Sequence, residues 1–119
     1  MPNTNRPTIS THVLDTTRGE PAAGVAVSLW RLEGAPPQRA DPQGTRETDA
    51  DGRIGDLLDA PLVAGAYRLT FDVAGYFKKR GETAFLSRVT LDFQVADPKR
   101  RYHIPLLVSP YACSSYRGS

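Results

Sequence analysis

Cysteine occurs once in the 119 residues, as do methionine and tryptophan. The lone thiol, Cys113, has no partner within the chain, so no intrachain disulfide holds the fold, and a reducing compartment suits it. No window approaches the roughly 20 apolar residues that a membrane helix needs. The opening stretch MPNTNRPTIS lacks the apolar core of a secretory signal. The closing Arg-Gly-Ser is not a peroxisomal address of the Ser-Lys-Leu kind. The expectation is a cytoplasmic protein without membrane contact. Charge of one sign is scarce as well: 15 basic against 13 acidic side chains leave a formal +2. The two basic runs, Lys78-Lys79-Arg80 and Lys99-Arg100-Arg101, are short enough to be solvated turns. Nucleic acid would call for a denser basic face with interleaved aromatics, so the expected partner is a small molecule.

At this length one core is the default, with about two thirds of the unfolded surface buried on folding. The 39% hydrophobic and 24% charged residues are those of a globular chain rather than a disordered one. No internal repeat or linker appears. The chain therefore reads as a single domain over residues 1–119, with residues 1–7 expected to be flexible.

Hydrophobicity follows a period of two. Tyr67, Leu69, Phe71 and Val73 alternate with Arg68, Thr70 and Asp72, as a half-buried strand requires. Val89, Leu91, Phe93 and Val95 alternate with Arg88, Thr90, Asp92 and Gln94 in a second such run, and Gly65 and Asp97-Pro98 punctuate the two. Residues 8–15 and 25–32, rich in β-branched and aliphatic side chains, read as two more strands around a Gly19/Pro21 loop. Residues 34–44 carry Pro36, Pro37 and Pro42 and read as a loop or ragged edge. Asp51-Gly52 is a turn dipeptide of the kind that closes hairpins, and residues 75–81 suit one short helix. Short strands between Gly, Pro and Asp turns predict an antiparallel β-sandwich.

The segment from Tyr102 to Val108 breaks the alternation. Ile104, Leu106 and Val108 face one way and His103, Pro105 and Leu107 the other, so both faces are largely apolar. Such a strand needs cover beyond its own core, either from another subunit or from a loop or helix of the same chain. Pro105, lacking an N–H, suggests an edge or a bulge.

The chain has two histidines, His12 and His103. Side-chain parity sets His12 with Ser10 and Leu14, opposite the core side of Ile9, Thr11 and Val13, so both imidazoles look outward. Either they are separate surface residues or they meet; if they meet, they offer neutral imidazoles for moving protons or holding a metal. Two ligands make a weak zinc site, because catalytic zinc usually takes three protein ligands. Arg53, just after Asp51-Gly52, is either an exposed strand residue or a guanidinium placed to bind an anionic, carbonyl-rich ligand. Nucleophile elbow, phosphate loop and paired carboxylates are all missing, and serines 114 and 115 have no base beside them. Attack by activated water is the simpler chemistry. Taken by itself, Tyr116-Arg117-Gly118-Ser119 is a polar tail.

Three stretches in order resemble the 5-hydroxyisourate hydrolases, which are transthyretin-like enzymes of urate breakdown. They are ISTHVLDTTRGEPAAGVAVSLWRL (9–32), TDADGRI (48–54) with GAYRLTFDVAGYF (65–77), and YHIPLLVSPYACSSYRGS (102–119). Asp49 stands where Asn is common in the family, and Cys113-Ser114-Ser115 where Tyr-Ser-Thr is common. The resemblance implies a transthyretin-like β-sandwich of two sheets with Greek-key connections and one short helix. It further implies a homotetramer, a dimer of dimers with active sites in the channel between dimers. By motif, His12, Arg53, His103 and Ser119 are the implied catalytic set, with Tyr116, Arg117 and Gly118 shaping the substrate pocket. The implied reaction opens the ring of 5-hydroxyisourate to 2-oxo-4-hydroxy-4-carboxy-5-ureidoimidazoline, without cofactor or metal. His103 is the preferred base, and His12 orients water or returns a proton. The alternative is a transthyretin-type carrier of a small hydrophobic ligand.

Overall fold

A computed structural model describes residues 6–118. Two sheets face each other across one core. The first joins β1 (Ile9–Asp15), β8 (Tyr102–Val108) and β9 (Cys113–Ser115), with the short β2 (Glu20–Pro21) and β5 (Arg53–Ile54) both on the free edge of β1. The second runs β4 (Arg39–Glu47), β3 (Ala26–Glu33), β6 (Gly65–Asp72), β7 (Arg88–Val95). One helix, α1 (Val73–Lys78), links β6 to β7.

The alternation along β6 and β7 translates into burial: Tyr67, Leu69 and Phe71 are buried, as are Val89 and Val95, while Arg68 and Asp92 pair across the strands on the outer face. The inner faces of both sheets contribute Ile9, Val13, Val27, Leu29, Leu69, Phe71 and Leu106, each fully buried. An apolar side chain of this size gains about 1.5–3 kcal/mol on leaving water. Val73, read from the sequence as the last residue of a strand, instead begins the helix. The Asp72 carboxylate accepts from the Gly75 amide and caps it, satisfying a donor that the first turn leaves free.

Asp15 fastens the helix to the first sheet. It is 1% exposed and accepts from the Tyr76 hydroxyl at 2.8 Å and from Arg18 at 2.9 Å. Burial alone would raise its carboxyl, but hydrogen bonds from Tyr76 and Arg18 outweigh that and hold it below the usual range. The same contact, after burial, pushes the Tyr76 phenol up to about 12.

Three expectations need correction, and one is met: the proline-rich stretch 34–44 is loop in its first part and ragged edge in its second, where residues 39–47 form the edge strand β4. Its register on β3 slips between Leu29 and Trp30, and an edge with a bulge tolerates Pro42 and Gly44. Asp51-Gly52 closes no hairpin between neighbouring strands: it carries the chain from the second sheet to β5 in the first. Gly52 has φ +76°, and a Cβ there would lie 2.4 Å from the Val13 carbonyl oxygen, so only glycine lets the turn lie on β1. The sandwich is antiparallel except at one place, where β1 and β8 run parallel from Ile9 beside Tyr102 to Asp15 beside Val108. Finally, Pro105 marks neither an edge nor a bulge, since β8 lies between β1 and β9. The ladder to the tail pairs Leu106 with Ser115 and resumes at His103 with Gly118. Pro105 would be the donor in the gap, and it has no proton to give.

Candidate active site

The parallel ladder of β1 on β8 assembles the site. It sets Ser10 directly beside His103, while on the other edge of β1 the antiparallel β5 sets Arg53 beside His12. Ser10 and His12 share the outer face of β1 because they are two residues apart. Residues from three distant parts of the chain thus meet on one sheet face, around an open cleft of about 320 Å³ walled by Ser10, Thr11, Arg53, Ile54, Gly55, Arg101 and His103.

Each imidazole is tied by one nitrogen. His12 Nε2 lies 2.9 Å from the Asp51 carbonyl oxygen. A carbonyl only accepts, so Nε2 carries the proton and neutral His12 keeps its lone pair on Nδ1. His103 Nδ1 lies 2.9 Å from the Ser10 hydroxyl. The tail closes over the ring: the Gly118 amide donates to the His103 carbonyl at 2.7 Å, and a Cβ on Gly118 would stand 2.7 Å from His103 Cδ2. Glycine at that position is therefore a steric requirement.

His103 sits below its ordinary pKa of 6.5. Partial burial is the largest cause, followed by the basic neighbours His12, Arg53 and Arg101. Every charge acting on it is positive, so the ring is neutral at pH 7 and the cleft favours an anion. Arg53 is held by its backbone, whose amide donates to Asp49 Oδ1 at 2.9 Å. Among the described residues, its guanidinium has no hydrogen-bond or ion-pair partner. Arg101 donates to the Arg6 carbonyl at 3.0 Å, and Arg6 is anchored on Asp56 at 2.8 Å.

Of the residues singled out from the sequence, the structure brings His12, Arg53, His103 and Gly118 to this face. Tyr116 and Arg117 are turned elsewhere. They line a second hollow, of about 230 Å³, with Leu91, Phe93 and Ile104, and the Arg117 guanidinium lies 4.6 Å over the Tyr102 ring. In the single chain they lie at this second hollow and not at the cleft. Ser119 lies outside the described residues. Sequence reasoning passed over Ser10 and Arg101: parity had placed Ser10 beside His12, and Arg101 was absorbed into a basic run. Among the described residues no group of three or more His, Cys, Asp or Glu side chains is arranged to hold a metal ion. Nor is any described helix long and apolar enough to cross a membrane.

A hollow of about 800 Å³ on the second sheet, around Trp30 and Thr70, is larger than the cleft. It contains no histidine, so size does not locate the chemistry. Fold and site together define a β-sandwich with two histidines and an electropositive cleft on the outer face of its first sheet.

Comparison with known proteins assigns that class. A profile described as the HIUase/Transthyretin family matches residues 9–118. The 5-hydroxyisourate hydrolase of Deinococcus radiodurans is 45% identical, over 95% of this chain and 97% of its own. The structure of Klebsiella pneumoniae 5-hydroxyisourate hydrolase superposes with a TM-score of 0.83 at 39% identity, covering 95% of this chain and 99% of that one. Transthyretin from Sparus aurata superposes with a TM-score of 0.86 at 27% identity, covering 95% and 97%. The chain belongs to the HIUase/Transthyretin family.

Proposed function

We propose that this chain hydrolyses 5-hydroxyisourate to 2-oxo-4-hydroxy-4-carboxy-5-ureidoimidazoline, a step of urate breakdown. The observation that carries this reading is that β5 and β8, pairing on the two edges of β1, bring His12, Arg53 and His103 together on one sheet, with Arg53 and His103 walling an electropositive cleft. A carrier of hydrophobic ligands needs none of these groups, and the transthyretin likeness rests on the shared fold. The relatives named as 5-hydroxyisourate hydrolases are 45% and 39% identical, the transthyretin 27%.

In this mechanism a water oxygen attacks the ring amide carbonyl. One imidazole takes a proton from the water and the other supplies one to the departing nitrogen as the C–N bond breaks. The carbon ends as a carboxylate. Arg53 binds the substrate and stabilises the oxyanion, with Arg101 adding positive charge. Ser119 contributes its hydroxyl or terminal carboxylate, and Tyr116, Arg117 and Gly118 shape the pocket once the tail is packed by a partner subunit. The reaction calls for no cofactor.

The active assembly on this reading is a homotetramer, a dimer of dimers built from the one domain of residues 1–119, with sites in the channel between dimers. Three features favour it: the unpaired outer edges of β7 and β9, the outward His103 and Leu107, and the exposed Phe85 and Tyr111 (77% and 74%) on loops that meet at Pro110. The free thiol of Cys113 suits the cytoplasm, where we place the enzyme.

The test is the ultraviolet decay of 5-hydroxyisourate generated freshly from urate by urate oxidase. Wild-type protein should accelerate the decay, and His103→Ala should lose about 10²–10⁴-fold of that acceleration while keeping its melting temperature. Decay at the spontaneous rate with folded wild-type tetramer would favour the carrier.

A further inference from the structure

We infer that Ser10 is a positioning residue for His103: its buried hydroxyl donates to Nδ1, so that the neutral ring presents a protonated Nε2 to the cleft. This rests on the hydrolase reading and assigns the proton-bearing atom that the reading leaves open.

Ser10 and His103 are 93 residues apart in sequence and register partners in the parallel ladder. Ser10 is 8% exposed, and among the described residues its hydroxyl makes one hydrogen bond, to Nδ1 at 2.9 Å. A hydroxyl removed from bulk water gives its proton to the acceptor within reach, and here that acceptor is the Nδ1 lone pair. The ring's own proton is then on Nε2. Gly118 lies against the same ring, where a Cβ on it would stand 2.7 Å from His103 Cδ2. The charged and titratable groups facing His103 are His12 on β1, Arg53 on β5 and Arg101 ahead of β8. Among the described residues, the groups acting on His103 are thus all basic, and they disfavour an imidazolium.

The two histidines therefore meet the substrate with opposite complements. His103 offers a donor, and His12, with Nε2–H held by the Asp51 carbonyl, offers the Nδ1 lone pair. His12 is then the group that takes the water's proton. His103 donates toward the carbonyl oxygen or the departing nitrogen, a task suited to a neutral imidazole in an electropositive site. This reverses the order preferred from the sequence, where His103 was the base.

Long-range proton–nitrogen NMR on the full chain carrying ¹⁵N-histidine, at about pH 8 where imidazoles are neutral, reads the tautomer directly. His103→Ala assigns the resonances. Wild-type His103 should show an unprotonated Nδ1 and a protonated Nε2. In Ser10→Ala the two tautomers should mix. Its kcat should fall about tenfold, the loss of one charge-free hydrogen bond, with KM changed by less than about twofold. Ser10→Thr should restore both readouts. A proton on Nδ1 in the wild type would overturn the inference, as would Ser10→Ala retaining wild-type tautomer and kcat. If the wild type fails to speed 5-hydroxyisourate decay, the hydrolase reading falls, while the tautomer still decides the Ser10–His103 assignment.

Discussion

The two sheets present outer faces built on the same alternation and put to opposite electrostatic use. On the second sheet polar groups are matched in place. Arg68 donates to both oxygens of Asp92 at 2.7 and 2.9 Å across β6 and β7, Ser28 bonds Thr45 at 2.7 Å, and Arg39 bonds Asp41 at 2.7 Å along β4. On the first sheet His12, Arg53 and His103 gather; among the described residues the Arg53 guanidinium has no ion-pair partner, and the hydrogen bonds of His12, His103 and the Arg53 amide orient rings and backbone. A paired face is a finished surface. A face of like charges costs free energy until an anion arrives, which is the state expected of a site that binds negative charge.

The sharpest way to break the contrast is Gly118→Ala. The new Cβ would collide with His103 and displace the ring or the tail. We expect roughly 10–100-fold loss of kcat/KM, or about 1.4–2.7 kcal/mol of transition-state stabilisation, with a thermal melt close to wild type because the tail carries little of the core. A melt lowered in step with activity would instead assign the glycine to folding.

A smaller effect belongs to Arg101→Gln. His103 titrates below 6.5, and a base with a depressed pKa is neutral above that value and protonates as pH falls through it. Removing one positive neighbour should move the acid limb of the kcat/KM profile to higher pH, toward 6.5. The full value should not be regained, because partial burial, the first cause, remains. A limb that stays in place or moves down would show that Arg101 does not act on the site through its charge.

The smallest effect is expected on the other face. Arg68→Ala removes an exposed pair, and such pairs contribute little to stability. Its rate of 5-hydroxyisourate decay should equal wild type in the same assay, and a clear drop would mean that the two faces are not functionally separate.

How much was legible in the chain can be traced residue by residue. The alternation of Tyr67 to Val73 and of Val89 to Val95 announced β6 and β7, because burial on one face repeats every second residue. The outward parity of Ser10 and His12 was equally plain. Pro36, Pro37 and Pro42 left the stretch 34–44 open between loop and ragged edge, and the pairing with β3 shows Pro42 on an edge strand with a bulge. The role of Arg53 was open from its turn alone, since Asp49-to-Arg53 hydrogen bonding shapes a loop whatever the guanidinium later does.

By itself the sequence determined the class of fold, the sides that His12 and His103 face, the need for cover on the strand of His103, and the family motifs. Those depend on local periodicity and on residue type, which are written in consecutive positions. Tertiary structure alone decided that β1 and β8 run parallel in a register that sets Ser10 on His103, that Gly118 closes on the same ring, and that Arg117 stacks on Tyr102 instead of joining the cleft. Pairing between segments some ninety residues apart is selected by the packing of the whole core, because a one-residue slip would turn every inward side chain out.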